Sequence, residues 1–528
     1  MPPALIRKAL PADAPRWIEL LNASVGAEYP DKGLYDPAWV EGQFAPDSGA
    51  ETWVAEQGGK ILSSISFLAP FQGPNPVANM GRHLNRPEAF NDGTAEALLK
   101  RIGEIAEQRK QLVVNRVIAA DSKSQILHER AGYVCVGFQP YKHMLRTREG
   151  ALFYVRPPQS TEMPRLPLSE SLPQVADLAK VVLPKLKLTA PPSVRDGVTG
   201  YALQNDARIV EGSTEDFQKR KEEANAANPP LEISGMFHQG QGFLRGTPGP
   251  APKALIAERD GNVTAGLLYN FDTVDRCVRV VDGFCSDDLS IGVLLRQATR
   301  AAQEQNAVYV EVDILSTAPR LLKSAEQLGF VPIAYMPAFV SQGDTNSDVI
   351  KLIKLNMVYS PEETNFTSMA RGIAETVDQN FQDQKVGVAI INLLRGLPFL
   401  EGLGDGELRK VARLFTQKLF RPGEKIFGKG DQGNEAYVIM RGQIDIIIEE
   451  NTKPIASFGI GQIFGELAFL DGAPRTAIAV ASQPSILLVL ARSSFNSLVQ
   501  HEPHLGMVVM RNMAIELSNR LRKMTAKK

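Results

Sequence analysis

Cysteine and long apolar runs are scarce in this chain. Three of its 528 residues are cysteine (Cys135, Cys277 and Cys285), and their spacing matches no paired metal site. No apolar stretch approaches the length that spans a membrane, and no apolar signal segment opens the sequence. We therefore expect no metal, no membrane association and, because unpaired thiols suit a reducing compartment, a cytoplasmic location.

Net charge is almost absent as well. The 58 basic and 59 acidic side chains leave a formal charge of −1, so no general attraction draws the chain to nucleic acid. The chain ends at Lys528, soon after its last predicted helix, which leaves no room for a DNA-binding helix-turn-helix. A hydrophobic fraction of 44% supports packed cores in about three domains of ordinary size. We expect no nucleic-acid partner.

The most informative stretch lies between residues 464 and 477, where FGELAFL is followed by PRTA. Arg475 can grip two oxygens of one phosphate with its planar guanidinium, which a lysine cannot do. Glu466 can accept the proton of a ribose 2′-hydroxyl, and Gly465 lets the backbone approach an anion closely. These groups together suit a cyclic nucleotide. The predicted binding residues are Phe464, Gly465, Glu466, Leu467, Ala468, Arg475, Thr476 and Ala477.

Around this motif, short apolar alternations are separated by glycine turns, which is typical of a β-roll, and residues 503–524 have the apolar spacing of a helix. Residues 397–528 resemble the cyclic nucleotide-binding domain of bacterial cAMP receptor proteins, kinase regulatory subunits and cyclic nucleotide-gated channels. The resemblance implies that Glu466 holds the ribose hydroxyl and that Arg475 holds the phosphate. Thr476 favours cAMP and leaves cGMP open, and the final helix could close over the base.

Upstream of this region, one order of predicted elements occurs twice. A hairpin, a helix at 94–108, a strand at 112–118 and a second helix are followed later by a hairpin near 254–269, a helix at 291–304, a strand at 308–314 and another helix. This repetition predicts two mixed α/β domains, over residues 1–146 and 151–355. Residues 361–395 have helical spacing and are predicted to be a helical linker, either a lever or a plain connector.

Both halves resemble the GNAT acyltransferase fold, because the last helix of each ends in a glycine and an aromatic residue, Gly132-Tyr133 and Gly329-Phe330. The resemblance implies that acetyl-CoA binds where two central strands separate. Its pyrophosphate would meet backbone amides at a helix N-terminus. Of the loop pattern that binds the pyrophosphate in this family, the second half keeps only Gly292. In the first half, the implied coenzyme contacts are Gly93, Thr94 and Ala95.

The resemblance also indicates which side chains could carry chemistry. In the GNAT family a tyrosine five residues before the final aromatic residue protonates the leaving thiolate, and that position is His128 in the first half and Ala325 in the second. A histidine can act as an acid and an alanine cannot. Glu88 is the nearest acidic candidate for the general base. The alternatives are that His128 is an exposed helix residue without chemistry and that Glu88 is a solvated loop charge.

The predicted fold class is α+β, with two tandem GNAT-like domains followed by a cyclic nucleotide-binding β-roll and its flanking helices over 397–528. The favoured interpretation is a cAMP-regulated N-acetyltransferase that uses acetyl-CoA on an amine such as a protein lysine. It resembles the cAMP-regulated protein lysine acetyltransferases. The alternative is a non-catalytic cyclic nucleotide sensor whose degenerate GNAT-like domains bind a protein partner. The sequence leaves the oligomeric state undetermined.

Overall fold

The computed structural model describes residues 3–26, 31–68, 77–144, 148–159, 164–168, 170–189, 198–227, 251–287, 289–342, 344–357, 359, 364–386, 388–449 and 453–525. The chain forms two compact units, Met1–Phe381 and Gln382–Lys528, which we call the N-terminal and C-terminal units. Within the described residues, no helix is both long and apolar enough to cross a membrane.

Among the described residues, the first half of the N-terminal unit has seven strands and five α-helices. In chain order they are β1 (Leu5–Lys8), α1 (Ala14–Val25), α2 (Pro37–Phe44), β2 (Glu51–Gln57), β3 (Lys60–Phe67), β4 (Val77–Asn85), α3 (Pro87–Asn91), α4 (Thr94–Gln108), β5 (Leu112–Ile118), α5 (Ser122–Arg130), β6 (Val134–Met144) and β7 (Arg148–Arg156). The bounds of α4 and β5 agree with the prediction.

The second half repeats the strand order of the first. Its elements are α6 (Pro173–Val182), β8 (Arg208–Gly212), α7 (Thr214–Ala227), β9 (Lys253–Arg259), β10 (Asn262–Asp272), β11 (Cys277–Cys285), α8 (Ile291–Glu304), β12 (Tyr309–Leu315), α9 (Pro319–Gln327), β13 (Val331–Gln342), β14 (Thr345–Leu355) and α10 (Ser368–Val386). The predicted helix at 291–304 matches α8.

The fourteen strands that the structure describes in this unit belong to one sheet, in the order β1-β2-β3-β4-β5-β7-β6-β13-β14-β12-β11-β10-β9-β8. The strand order of the second half is therefore the reverse of that of the first half, and the two halves meet at a central β6–β13 contact. At that contact Gly137 pairs with Ala334, and a Cβ on Gly137 would lie 2.1 Å from the Ala334 Cβ. Because no larger residue fits there, Gly137 allows the halves to share one sheet.

The central strands of each half pair in parallel over only three residues. In the first half, residues 77–79 of β4 pair with 112–114 of β5. In the second half, residues 277–279 of β11 pair with 309–311 of β12. Beyond these residues β4 no longer pairs with β5, and β11 no longer pairs with β12. Within each pair, the two strands therefore separate toward their C-terminal ends.

Helices pack against this sheet because their apolar residues recur at helical spacing. In α4, for example, Leu98, Leu99, Ile102 and Ile105 are buried. The largest core of the N-terminal unit runs through both halves and includes residues of α4, α8 and the central strands.

A group of buried charged side chains lies where the halves meet. Lys142 of β6 places its Nζ 2.8 Å from Oε2 of Glu311 on β12. Arg279 of β11 donates to the other oxygen of Glu311 at 2.7 Å and to Asp272 and Asp275 at 2.5 and 3.0 Å. These ion pairs join a strand of the first half to strands of the second, and their burial makes each partner costly to remove.

Two predicted boundaries need correction. The division between 146 and 151 falls just before or inside β7, but β7 pairs with β5 and β6, so it belongs with the first half. Within the predicted linker at 361–395, the residues of α10 and α11 are helical, but they do not form a separate element. Ile373 and Val377 of α10 lie in the core of the N-terminal unit, whereas Leu394 of α11 (Val388–Arg395) lies in a core of the C-terminal unit.

The C-terminal unit is a β-roll flanked by helices. After α12 (Asp405–Ala412), two four-stranded antiparallel sheets have the orders β15-β22-β17-β20 and β16-β21-β18-β19. The strands are β15 (Phe415–Phe420), β16 (Lys425–Phe427), β17 (Glu435–Arg441), β18 (Ile444–Ile447), β19 (Ala456–Phe458), β20 (Ile463–Phe464), β21 (Ile478–Ala481) and β22 (Ser485–Ala491). The remaining helices are α13 (Glu466–Asp471), α14 (Arg492–His501) and α15 (Pro503–Thr525).

The last helix, α15, begins where the sequence predicted. Its buried residues Leu505, Val509 and Met513 belong to a core with Phe399 and Leu400, and Asn512 donates to the Glu401 carbonyl at 2.7 Å. The interior of the roll is a separate cluster built on residues such as Tyr437 and Phe464. In this structure, α15 therefore packs on the helical side of the unit.

Candidate functional site

A cavity of about 130 Å³ lies in the first half where β4 and β5 separate. His83 and Asn85 of β4, Arg116 of β5 and His128 of α5 are among its lining residues. The rings of His83 and His128 have their centroids 5.3 Å apart. The strand separation thus brings His128, predicted from the sequence, together with His83, which the sequence analysis missed.

His128 is fully buried, so the alternative of an exposed helix residue is wrong. Its Nδ1 lies 2.7 Å from the Ser124 carbonyl, and its Nε2 lies 2.7 Å from Nδ2 of Asn115. Since a carbonyl only accepts and an amide nitrogen only donates, Nδ1 carries the proton and Nε2 accepts. Burial lowers the pKa of His128 to about 4, so the ring is neutral at pH 7.

Burial also holds the pKa of His83 well below its ordinary value, and the neighbouring His128 lowers it further. Its Nε2 lies 3.1 Å from Nδ2 of Asn85. The cavity therefore has two neutral imidazoles beside the guanidinium of Arg116. A signal for His83 was present in the sequence, because histidine is rare in this chain, with six residues in 528, and this one stands near the end of an apolar strand.

The other residues predicted for the first half lie nearby in sequence but outside the cavity lining. Glu88 is exposed on the short helix α3. Gly93 has a φ of +79° at the N-cap of α4, and nothing would lie within 4 Å of a Cβ placed there. Thr94 and Ala95 are buried in the first turn of α4, and the Thr94 amide donates to Oδ1 of Asp92 at 2.8 Å. A side-chain carboxylate thus already uses one amide at this helix N-terminus.

The start of the corresponding helix in the second half, α8, also has a carboxylate on its amides, and it differs in being covered by backbone. Oδ1 of Asp287 accepts from the amides of Leu289 and Ser290 at 3.0 and 2.9 Å. A Cβ on Gly292 would lie 2.4 Å from the Ala202 carbonyl, so an upstream segment covers the start of α8. A coenzyme pyrophosphate does not fit here, because a carboxylate would repel it and the backbone blocks its approach.

In the C-terminal unit, β20 runs directly into α13 through a single left-handed residue. Gly465 has a φ of +74°, and a Cβ there would lie 2.8 Å from Nη1 of Arg475, so both the conformation and the space require glycine. Phe464 before it is buried, as are Glu466 and Ala468 after it, whereas Leu467 is exposed. The turn thereby places the Glu466 carboxylate at the first residue of α13.

Arg475 is only 4% exposed and contacts the same turn. Its Nη1 donates to the Gly465 carbonyl at 2.7 Å and its Nη2 to the Glu435 carbonyl at 2.6 Å. The guanidinium carbon lies 4.1 Å from the ring centroid of Phe427, and the buried Nε has no hydrogen-bond partner among the residues that the structure describes. Burial lowers the pKa of Arg475, but an arginine with carbonyl and aromatic partners stays charged. This is a buried cation whose hydrogen-bond acceptors are neutral.

The remaining motif residues, Thr476 and Ala477, follow Arg475 toward β21, the first exposed and the second half-buried. Residues 417–502 match the family model described as the cyclic nucleotide-binding domain. The C-terminal unit contains a cyclic nucleotide-binding domain.

Known proteins resemble the chain over this domain. The Cyclic AMP receptor protein of Thermus thermophilus is 31% identical over 132 residues, which are 24% of this chain and 59% of that protein. The cAMP-dependent protein kinase regulatory subunit of Yarrowia lipolytica is 37% identical over 107 residues, which are 20% of this chain and 28% of that protein. A solved cyclic nucleotide-binding domain from Methylobacillus flagellatus is 26% identical over 27% of this chain and 80% of its own, with a TM-score of 0.25. The chain thus spans 59% or less of the length of these two relatives.

The cyclic nucleotide-binding domain has an aromatic interior that the sequence analysis did not predict. Tyr437 stacks on Phe464 with centroids 5.1 Å apart, and Phe427 lies 5.8 Å from Tyr437. The Tyr437 hydroxyl donates to the Glu435 side chain at 2.5 Å. Alternation indicated that these strands exist, but the meeting of their aromatic rings depends on pairing between β17 and β20.

Proposed function

We propose that the cyclic nucleotide-binding domain of this protein binds cAMP, with Arg475 on the phosphate and Glu466 on the ribose 2′-hydroxyl. The observation that carries this proposal is the buried Arg475 guanidinium beside the Gly465 turn, which has two neutral carbonyl acceptors and, within the described part of the chain, no partner on Nε. A phosphate offers this cation charged acceptors, and charge-assisted hydrogen bonds are about twice as strong as neutral ones. The similarity to proteins named for cyclic AMP supports cAMP as the nucleotide.

Calorimetric titration of cAMP into the full chain tests this proposal. Arg475→Ala should weaken binding by about 1.5 to 3 kcal/mol, the range for hydrogen bonds to charged groups. Glu466→Gln should have a smaller effect, because an amide oxygen still accepts from the ribose hydroxyl. Arg441→Ala is the matched control, since Arg441 is an exposed arginine at the end of β17. Unchanged affinity in Arg475→Ala would remove Arg475 from the site, and a parallel titration with cGMP tests the choice of base.

For the N-terminal unit, we propose that the first half is a GNAT-type N-acetyltransferase whose activity responds to cAMP. The supporting observation is the polar cavity between the separated strands β4 and β5, the place where the GNAT resemblance puts acetyl-CoA. When bound, the coenzyme would supply the acetyl group, with Gly93, Thr94 and Ala95 nearest its pyrophosphate. Asp92 must first release the Thr94 amide. The acceptor would be an amine such as a protein lysine.

Within this proposal, the two histidines take different parts. His83 lines the cavity and is neutral, so it could receive the proton of the acceptor amine once its Nε2 leaves Nδ2 of Asn85, although its lowered pKa makes it a weak base. It is a better-placed candidate than the exposed Glu88. The Nδ1 proton of His128 is committed to Ser124, so His128 could act as the acid only after that contact opens. His128→Ala should lower acetyl transfer without abolishing acetyl-CoA binding, and equal rates would remove His128 from the mechanism.

A second candidate function is a non-catalytic sensor whose N-terminal unit binds a protein partner. The observation that favours it is the use of helix N-terminal amides by Asp92 in one half and Asp287 in the other. Titration of acetyl-CoA into the full chain, with and without saturating cAMP, separates the two functions. Binding at one site per chain that changes with cAMP would support the regulated acetyltransferase. No binding in either state would support the partner-binding sensor.

A further inference from the structure

The segment that leads into α10 lies against α5, the helix that carries His128. Gln125 of α5 is fully buried, and its side-chain oxygen accepts from the Thr367 amide at 3.0 Å. The side-chain nitrogen of Gln125 donates to the Ala119 carbonyl at 2.6 Å. One turn further along α5, Glu129 accepts from the Thr367 hydroxyl at 2.5 Å. Because residues four apart share one face of a helix, Thr367 holds two successive turns of α5.

Thr367 is also the residue from which α10 starts. Its hydroxyl oxygen accepts from the Ala370 amide at 3.2 Å, in the manner of an N-cap threonine. The preceding Phe366 packs edge-on against Phe138 of β6, with ring centroids 5.3 Å apart. The side chain that begins α10 therefore also fastens its start to the first half.

These contacts reach the surroundings of His128. Oε1 of Glu129, which accepts from Thr367, also accepts from the Tyr154 hydroxyl at 3.1 Å. The ring centroids of Tyr154 and His128 are 5.3 Å apart. A shift of α5 against β7 would change the space around the His128 ring, and rotation of that ring away from the Ser124 carbonyl depends on this space.

The second half has a different contact at the corresponding place. When α5 and α9 are aligned on the glycine that follows each helix, Gln125 corresponds to Leu322, a buried side chain without an amide. Glu129 corresponds to Glu326, whose Oε1 accepts from Gln174 of α6 at 3.3 Å. The double contact made by Gln125 and Glu129 thus belongs to the half that has the cavity.

The other end of α10 belongs to the C-terminal unit. The helix ends at Val386, beyond Phe381, the last residue of the N-terminal unit. In its last turn Asp383 is buried and accepts from Nε of Arg413 at 2.5 Å. Arg413 lies between α12 and β15, the first strand of the β-roll. One continuous helix therefore has its start fastened to α5 and its end fastened to the residues that lead into the roll.

We propose that Thr367 is a positioning residue that couples α10 to α5 and thereby controls whether His128 can leave Ser124. The contact holds α5 in the arrangement in which the His128 ring is bound to the Ser124 carbonyl. A change in the C-terminal unit that displaces the end of α10 would pull on Thr367 and loosen α5, since the helix between them is continuous. This inference rests on the proposed cAMP binding and on the proposed acetyl transfer.

Hydrogen exchange of α5 in the full chain, without nucleotide, tests the contact itself. Thr367→Val keeps the size of the side chain but removes the hydroxyl, so exchange of the α5 amides should become several-fold faster. Thr367→Ser keeps the hydroxyl and should exchange as the wild type does. Thr376→Val is the matched control and should leave α5 unchanged, because the Thr376 hydroxyl donates to the Gly372 carbonyl within α10. Equal α5 exchange in Thr367→Val and the wild type would overturn the proposal.

The state of the His128 ring distinguishes positioning from mere structural support. Nitrogen-15 spectra of histidine-labelled wild type should show His128 with its proton on Nδ1, and the signal is assigned by its loss in His128→Gln. Thr367→Val should shift this ring toward the form with the proton on Nε2, and Thr376→Val should not. A proton that stays on Nδ1 in Thr367→Val would overturn the proposal even if α5 exchanges faster.

Addition of cAMP tests the coupling. Saturating cAMP should speed α5 exchange and raise acetyl transfer in the wild type, and both responses should be several-fold smaller in Thr367→Val. Equal responses in the two proteins would refute the coupling. No cAMP binding by calorimetry would refute the proposed nucleotide binding and the coupling with it. A cAMP response of α5 that Thr367→Val reduces, without acetyl transfer in any variant, would support the coupling and refute the acetyltransferase.

Discussion

The two halves of the N-terminal unit have the same strand order but differ where their central strands separate. The halves can be aligned on the first residues that pair in β4 and β5 and, in the second half, in β11 and β12. In this alignment, polar residues of the first half correspond to residues of a different kind in the second. His83 corresponds to Gly283, Asn115 to Val312, Arg116 to Asp313 and His128 to Ala325. For each of these four residues, the second half therefore has either a side chain without a polar group or, at Asp313, a side chain of the opposite charge.

One sheet architecture thus carries different buried polar groups in its two halves. In the second half, Glu311 on β12 takes part in the ion pairs with Lys142 and Arg279 where the halves meet, and the neighbouring Asp313 pairs with Lys351. The first half instead has a cavity lined by two neutral imidazoles together with Arg116 and Asp121. Fold therefore does not determine function here, and a site must be argued from its own residues.

The largest expected effect comes from breaking the buried charges between the halves. Lys142→Met should destabilise the N-terminal unit by about 3 kcal/mol, because it removes one partner of a buried ion pair. All three tryptophans, Trp17, Trp39 and Trp53, lie in the first half, so urea unfolding followed by tryptophan fluorescence reports on this unit. Lys180→Met, which removes an exposed lysine paired with Asp177, is the control and should change stability little. Equal effects of the two substitutions would show that the buried pair does not join the halves.

The buried histidines should make the first half sensitive to acid. His128 has a pKa of about 4 when folded against an ordinary 6.5, so below pH 6.5 the unfolded chain binds a proton that the folded chain does not. Stability is therefore full above pH 6.5 and falls as the pH decreases toward 4, on the order of 3 kcal/mol for this shift.

Fluorescence-detected unfolding at several pH values measures this dependence. The slope between pH 6.5 and 4 should be shallower in His128→Gln and unchanged in His504→Gln, because His504 is an exposed residue of α15. His83 contributes in the same direction, so part of the dependence should remain in His128→Gln. A slope that His128→Gln leaves unaltered would contradict the buried neutral state of His128.

The contact between β6 and β13 is expected to tolerate no added methyl group. Gly137→Ala would place a Cβ 2.1 Å from the Ala334 Cβ and should cost about 2 kcal/mol through overpacking. Gly42→Ala in α2 is the control, since nothing lies within 4 Å of its Cβ, and alanine there should be neutral or stabilising. A Gly137→Ala protein as stable as the control would mean that the halves do not meet so closely.

The smallest effect should come from removing a hydroxyl group that the first half has and the second half lacks at the corresponding position. Tyr154, paired with Asn115, corresponds to Leu352, paired with Val312. The Tyr154 hydroxyl donates to Glu129 at 3.1 Å, and the same carboxylate also accepts from Thr367. Tyr154→Phe should therefore destabilise the unit by about 1 kcal/mol, the usual value of one hydrogen bond. A loss above about 3 kcal/mol, measured by the same fluorescence assay, would indicate a cooperative polar network instead.

Sequence reasoning succeeded where a pattern was local. The spacing of apolar residues predicted the helix at 94–108, and short apolar alternations between glycine turns predicted the β-roll of the cyclic nucleotide-binding domain. The binding roles of Gly465 and Arg475 stay predictions. It failed where a feature depended on which strands are neighbours. His83 was missed because only the separation of β4 from β5 turns its side chain toward His128. β7 was assigned to the wrong half because its partners, β5 and β6, cannot be read from its own residues.

The sequence by itself determined several elements, such as α4, β5 and α8, and it indicated the repetition within the N-terminal unit and the cyclic nucleotide-binding domain. Each of these elements depends on residues that are close along the chain. Only the tertiary structure decided that both halves share one sheet, that Glu311 pairs with Lys142 and that Thr367 joins the start of α10 to α5. These features join residues far apart in sequence. Their formation depends on strand register and on the burial of charge, neither of which a local pattern encodes.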